Sequence, residues 1–518
     1  MKTLHALLCA CFIIPACADA GDWAQWCGSQ GKNMVSSEKG LPETFTPGEK
    51  DLDKGIIKTE TAANVKWGVK ICNTIYSTPT VSNGKIFVGG MQDKQGILAC
   101  LDEQTGKLLW QWSAPARNDP DVKGFEFDNF PKSLGVCSTA CVDGNRVYFM
   151  SQRLEVICLD VNGNGTPLTT TAGTGSTLPN NSKEIWKFDV WKHGVRPCDA
   201  CNGSPVIDGD FLYICTCNGV DRRADVSRHD ELRKVPAPDA PSVIVLDKNT
   251  GRLLAEDDFK IGPRILHGSW SSVSIGTVAG RKLVVFGGGD GTCYAAEALS
   301  AAPEKPVKLK TVWSYDCTPA EYKTYSETNR IDHYCHMDRR RKDTTNKAND
   351  GTLAGPSEII GTPVIFKDRV YVAMGRDPEH GRARGALHCI DAAKTGDITT
   401  AGKIWSYQGL DVTLSSAAVD NGLLYIADVC GKIHCLDVET GKPYWVHDTK
   451  SVIWSSTLVV DGRIYLGTPK GLIVMAAGKE EKELATIILG SPLYSSPVAA
   501  NGTLFAASKG GWLWAARK

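Results

Sequence analysis

The chain has 518 residues, and its 58 Lys and Arg are matched by 58 Asp and Glu, so the formal net charge is zero. That balance argues against a nucleic-acid partner, which would need a basic surface, and beyond the N-terminal leader no apolar run reaches the roughly 20 residues that a membrane-spanning helix needs. Glycine is abundant at 52 residues and cysteine unusually so at 19, which puts tight turns and thiol chemistry at the centre of the reading.

Residues 1–20 read as a secretory leader. Lys2 and His5 precede an apolar core from Ala6 to Ala16, and Ala18-Asp19-Ala20 offers a small-x-small cleavage site. Lipidation at Cys17 is the alternative, with Pro15 against it. Cleavage after Ala20 removes Cys9, Cys11 and Cys17 and leaves sixteen cysteines, bound for a periplasmic or extracellular compartment where disulfides form. Residues 21–64 are expected to be an N-terminal arm, of which residues 21–50 can be trimmed without cost to stability. Val65-Lys66-Trp67 stands alone as a strand signature without a hairpin.

From Ser77 the sequence becomes periodic. STPTVSNGKIFVG (Ser77 to Gly89) is a β-rich run, an Asn-Gly turn and a second β-rich run, which is a hairpin signal. The phrase returns from Cys137, Gly203, Ser271, Gly361, Ser415, Ser455 and Ser495, and the last three turn glycines, Gly422, Gly462 and Gly502, are forty residues apart. A second phrase follows each hairpin, clearest in ACLDEQTGKLLW (Ala99 to Trp110) and HCLDVETGKPYW (His434 to Trp445): Asp opens a turn, Gly takes a positive φ and Trp covers the outer strand. Trp186, Trp313 and Trp405 close three further units. Cys100, Cys158, Cys389 and Cys435 share one slot in this phrase and read as core packing, since a free Cys behaves as a small hydrophobe.

Four strands per unit at a period of about 40 to 45 residues predict an all-β, eight-bladed propeller over residues 65–518. The eighth hairpin is followed only by GGWLWAARK, one strand short of a blade, so the Trp67 strand is expected to complete blade eight and close the ring. An insertion at about 316–356, with Cys317, His333, Cys335, His336 and the basic run Asp338–Lys342, is either a lid over one face or a surface excursion. The basic run itself reads as a solvated loop.

The blade phrase ending in TGKxxW resembles the PQQ (pyrroloquinoline quinone) repeat of quinoprotein dehydrogenases and of BamB-like outer-membrane assembly lipoproteins. Narrower phrases, DWAQWCGSQGKNMVSSEKGLP (Asp22 to Pro42), CDACNGSPVIDGD (Cys198 to Asp210), LHGSWSS (Leu266 to Ser272) and GRDPEHG (Gly375 to Gly381), resemble secreted bacterial PQQ-like propeller proteins. The resemblance implies a ligand-binding face built by the loops between blades and by those between the second and third strands. On that face fall His267, Trp270, Asp290, Arg376, Glu379, His380 and Trp454.

Two function classes follow. One is a binding scaffold holding a protein, glycan or small ligand. The other is a PQQ- and calcium-dependent alcohol or sugar dehydrogenase with a divergent site. For that enzyme Trp270 is the candidate stacking floor, and Glu358 and Asp377 are candidate calcium ligands or general bases. The adjacent-cysteine pair that usually covers the cofactor in such enzymes is absent from the sequence. Cys198 and Cys201 form a CxxC, followed by Cys215 and Cys217. These four are candidates for disulfides or core thiols, for a four-thiolate metal site, or for redox exchange. The CxxC is not a c-type haem site, because Asn202 stands where His is required.

Overall fold

The computed structural model describes residues 21–123, 134–165, 168–171, 177–221, 235–323, 330–331, 335, 352–353, 356–377 and 383–518; the leader lies outside them. Eight antiparallel four-stranded blades follow one another around a ring. The first comprises Thr80–Ser82, Lys85–Gln92, Gln95–Asp102 and Leu108–Pro115, innermost to outermost. The eighth comprises Val498–Ala500, Thr503–Ala507 and Trp512–Ala516, and its fourth strand is Val65–Lys70 from the other end of the chain. Val65–Lys70 runs antiparallel to Trp512–Ala516 with Gly68 opposite Trp514, so the ring closes as the sequence predicts. The hairpin Thr46–Asp51 and Ile56–Ala63 extends this sheet outward to six strands.

The second and third strands of each blade are buried on both faces, because every blade is packed between two others. This is why they read as apolar runs rather than alternations. Cys100, Cys158, Cys389 and Cys435 are buried free thiols in these strands. The repeat's Trp and Gly serve two different blades. Trp110 Nε1 donates to the Val161 carbonyl of the second blade (3.0 Å), and Trp405 and Trp445 donate to Val438 and Gly478 in the same way. Trp67 donates to the Glu103 carbonyl (3.1 Å), joining the eighth blade to the first. Gly106, at φ +70°, lies under the Trp67 ring so closely that a Cβ would sit 2.7 Å from it, so this turn needs glycine for its backbone and for its neighbour.

Residues 21–64 are not a detachable arm. Trp23, Met34 and Leu41 are buried, and the segment 22–38 touches the innermost strand of every blade in ring order. Trp23 exchanges two backbone hydrogen bonds with Val81 (2.9 and 3.0 Å), and the Ala24 carbonyl accepts the Val142 N–H (2.8 Å). Gln30 bridges the third and fourth blades, donating its side-chain amide to the Ile207 carbonyl (2.7 Å) and accepting the Ile275 N–H at its carbonyl (2.9 Å). Gly31 accepts the Ile365 N–H, Asn33 forms a two-way side-chain bond with Val419, and Val35–Ser36 pairs in parallel with Val459 and Val460. Ser36 donates to the Ala499 carbonyl, and Glu38 accepts the N–H groups of Asn501 and Gly502. A segment that meets all eight inner strands in ring order lies inside the ring, and it plugs the central channel. The burial of this segment runs against the expectation that residues 21–50 are dispensable: backbone polar groups of the inner strands need partners, and this segment supplies them.

The insertion after the fourth blade is anchored by a disulfide between Cys335 and Cys430, the latter on the loop between the second and third strands of blade six. Cys335 packs there with Ala383, Val412, Val429 and Val452. His333, His336 and the run Asp338–Lys342 lie outside the described residues.

Candidate functional site

One residue per blade, just before the inner strand, carries a hydroxyl: Thr78, Thr139, Ser204, Ser272, Thr362, Ser416, Ser456 and Ser496. Seven of the eight backbone N–H groups in this set find the hydroxyl of the next blade. Thr78 donates to Thr139, Thr139 to Ser204 and Ser204 to Ser272 (3.3, 3.0 and 3.2 Å). Thr362 donates to Ser416, Ser416 to Ser456, Ser456 to Ser496 and Ser496 back to Thr78 (3.1, 2.9, 2.9 and 3.2 Å). Thr362 Oγ1 accepts the indole N–H of Trp26 (3.0 Å), which ties the plug to the ring. A hydroxyl that accepts one N–H still has its own O–H to donate.

Above this ring opens an axial cavity of ≈ 330 Å³, lined by seven of these hydroxyl residues. Trp26 of the plug reaches into it, and Trp270 and Trp454 stand on its walls. Tyr76 and Tyr494 stack on one another (centroids 6.0 Å apart, planes within 3°), with Trp454 against Tyr494 at 5.4 Å and the Lys509 ammonium over both tyrosines. Asp199 and Asp377 are the carboxylates of the described lining.

The predicted residues divide as follows. Trp270, Trp454 and Asp377 line the cavity. His267 lies directly behind Trp270, ring against ring at 4.7 Å, and Trp270 Nε1 donates to the Cys198 carbonyl (3.3 Å). Glu358 is buried outside the lining and accepts the Asp377 N–H at Oε1 (2.9 Å), so it holds the Asp377 loop in place. Arg376 donates to the Pro356 carbonyl (2.9 Å) and Asp290 pairs with Arg264 and Tyr294 (3.0 and 2.6 Å), both away from the axial lining. Burial raises the Asp290 carboxyl above its usual range. Glu379 and His380 lie outside the described residues.

Cys198, Cys201, Cys215 and Cys217 are buried and not disulfide-bonded. Burial drives Cys215 and Cys201 well above the ordinary thiol range, whereas a hydrogen bond from Cys215 lowers Cys217. Cys137, pushed up to about 12 by burial, borders Cys217 and Cys201. Cys198 Sγ lies 3.7 Å from His267 Nε2. Sequence reasoning missed Trp26, Tyr76, Tyr494, Lys509 and Asp199 at this site. The aromatic residue at the head of four of the hairpin phrases, Tyr76, Trp270, Trp454 and Tyr494, was the available signal.

Residues 383–485 match the family described as outer membrane protein assembly factor BamB. No curated protein sequence matches the chain. Among solved structures, BamB from Moraxella catarrhalis superposes with TM-score 0.51 at 12% identity, covering 87% of this chain and 98% of its own. A europium-containing methanol dehydrogenase gives 0.54 at 14% identity, covering 94% and 89%. The quinohemoprotein alcohol dehydrogenase ADHIIG from Pseudomonas putida HK5 gives 0.54 at 12%, covering 94% and 75%. At these identities the likeness is one of fold: the chain is a PQQ-like β-propeller.

Proposed function

We propose that the protein is a binding propeller whose axial cup takes a small polyhydroxylated ligand of about monosaccharide size. The observation that carries this reading is the hydroxyl ring above a plugged channel, walled by Trp270, Trp454, Tyr76 and Tyr494. Apolar sugar faces stack on such rings, while ring hydroxyls donate and Asp199 and Asp377 accept from sugar hydroxyls. The volume suits one small ligand and is too narrow for a folded partner. The secretory leader and periplasmic location expected from the sequence accord with such a role; in the described residues no helix is long and apolar enough to cross a membrane.

The described lining does not fit pyrroloquinoline quinone. The quinone is flat and carries three carboxylates, so Trp270 and Trp454 suit its faces, but among the described lining residues Lys509 is the one cation, against Asp199 and Asp377. A buried tri-anion needs more positive charge than this. Tryptophan fluorescence titrated with a panel of neutral monosaccharides tests the binding reading. Saturable quenching that disappears in Trp454→Ala is the expected result. A flat response across the panel, together with saturable binding of the quinone in millimolar calcium, would replace it with the dehydrogenase reading.

A further inference from the structure

Behind the cup wall, three side chains of different chemistry point at one place. Cys198 Sγ is 3.7 Å from His267 Nε2, and Asp199 Oδ2 is 3.9 Å from the same nitrogen. All three ligand atoms lie within 4.8 Å of one another, and all three residues are buried. A thiol–imidazole hydrogen bond accounts for the first contact alone. The carboxylate is beyond hydrogen-bond reach of that nitrogen, and an imidazole nitrogen has either one hydrogen or one lone pair to share. A catalytic Cys-His-Asp relay is also excluded, because there the acid would orient the opposite ring nitrogen.

We propose that Cys198, Asp199 and His267 form a mononuclear site for a borderline divalent transition ion of the zinc class. Thiolate, imidazole and carboxylate are the donors such an ion takes, and bonds of about 2.0–2.3 Å at tetrahedral angles bring ligand atoms to roughly 3.4–3.6 Å of each other. The two spacings to His267 Nε2 need to contract by only a few tenths of an ångström, and the third pair already lies within 4.8 Å. One thiolate and one carboxylate neutralise a divalent ion, which a buried site requires. Asp199 also lines the axial cavity, so a three-ligand ion would keep an open position toward the cup.

The main chain builds this arrangement in advance. Asn218-Gly219-Val220 runs between the two ligand-bearing segments. Gly219 N–H donates to the Arg196 carbonyl (3.0 Å), Val220 N–H to the His267 carbonyl (2.8 Å), and Ser269 N–H to the Asn218 carbonyl (2.9 Å). A Cβ on Gly219 would lie 2.7 Å from Cys198 Cβ and 2.8 Å from the His267 carbonyl, so this close approach needs glycine. Asp199 holds φ +54°, a left-handed conformation uncommon outside glycine, and the buried Trp270 ring backs His267.

The proposal stands apart from the identity of the cup's ligand, because metal binding is read without any sugar present. Full-length protein dialysed against chelator in a non-thiol reductant would be titrated with Co²⁺ as the spectroscopic probe, followed by Zn²⁺ competition. The expected result is one equivalent of saturable binding with a thiolate-to-cobalt charge-transfer band and the strong visible bands of a four-coordinate ion. Cys198→Ser loses the charge-transfer band, His267→Gln weakens binding by more than about tenfold, and Cys201→Ser leaves both unchanged. Asp199→Asn, near-isosteric and on the cavity wall, keeps the band but binds more weakly, which preserves a readout should Cys198→Ser fail to fold. Absence of saturable binding in folded protein, survival of the band in Cys198→Ser, or wild-type affinity in Asp199→Asn would each overturn the assignment.

Discussion

Trp110 shows how one residue of the repeat works between blades. Its ring is buried and its N–H reaches across to the Val161 carbonyl, so Trp110→Ala removes both a large apolar surface and a bond between blades. Truncations of this kind cost about 3–5 kcal/mol, and a lowered urea midpoint with an unchanged far-ultraviolet spectrum is the expected signature. His388 argues the pH case. It is buried with Nε2 on the Cys317 carbonyl (2.8 Å) and Nδ1 on the Tyr315 hydroxyl (3.2 Å), and burial lowers it from 6.5 to about 4. A depressed pKa means that the unfolded chain takes up the proton first. The stability His388 allows is therefore complete above pH 6.5 and is lost as pH falls toward 4, on the order of 3 kcal/mol in all. His388→Gln should be the less stable protein at pH 7.5, and its deficit relative to wild type should shrink between pH 6.5 and 4, measured as denaturation midpoints at both ends. A deficit independent of pH would mean that His388 does not titrate in that window.

At the scale of elements, the plug is the part with the largest consequence. Deleting residues 21–41 withdraws Trp23, Met34 and Leu41 from the core and the backbone partners of the inner strands. At about 1.5–3 kcal/mol for each large buried side chain, the loss is at least about 5 kcal/mol. The deletion also removes Trp26 from the cup, so sugar quenching should vanish even at temperatures where the ring stays folded; retained binding would show that Trp26 is not needed there. The blades were legible because each repeats its own turn and Trp chemistry at a fixed spacing. The plug was not legible, because it binds through backbone groups and single side chains that leave no periodic trace. The same holds for the cup wall. Cys198 and His267 are 69 residues apart and the disulfided Cys335 and Cys430 are 95 apart, so only the curvature of the ring brings either pair together. The CxxC spacing drew attention to Cys201 as the partner of Cys198, whereas the fold gives Cys198 a histidine from the next blade.

For the whole molecule the decisive feature is that a propeller has no free ends once its ring is closed. Val65–Lys70 covers the outer edge of Trp512–Ala516, and Trp67 then docks on the Glu103 turn of the first blade. The first and eighth blades are thus held together by an N-terminal strand paired with the C-terminal one. A chain beginning at Ile71 would expose Trp512–Ala516 as an unpaired, apolar edge, which is a template for pairing with another molecule. Such a chain would also lack the plug, so the comparison must be made with the 21–41 deletion, which keeps the closing strand. The expected outcome is that the plug deletion remains monomeric while the Ile71 chain self-associates in light scattering. A synthetic peptide spanning residues 56–70 should return the Ile71 chain to the monomer by refilling the edge. If both deletions are monomeric, blade eight does not need its fourth strand to protect it, and the docking of Trp67 on the first blade would be left as the main contribution of the N-terminal strand to the closed ring.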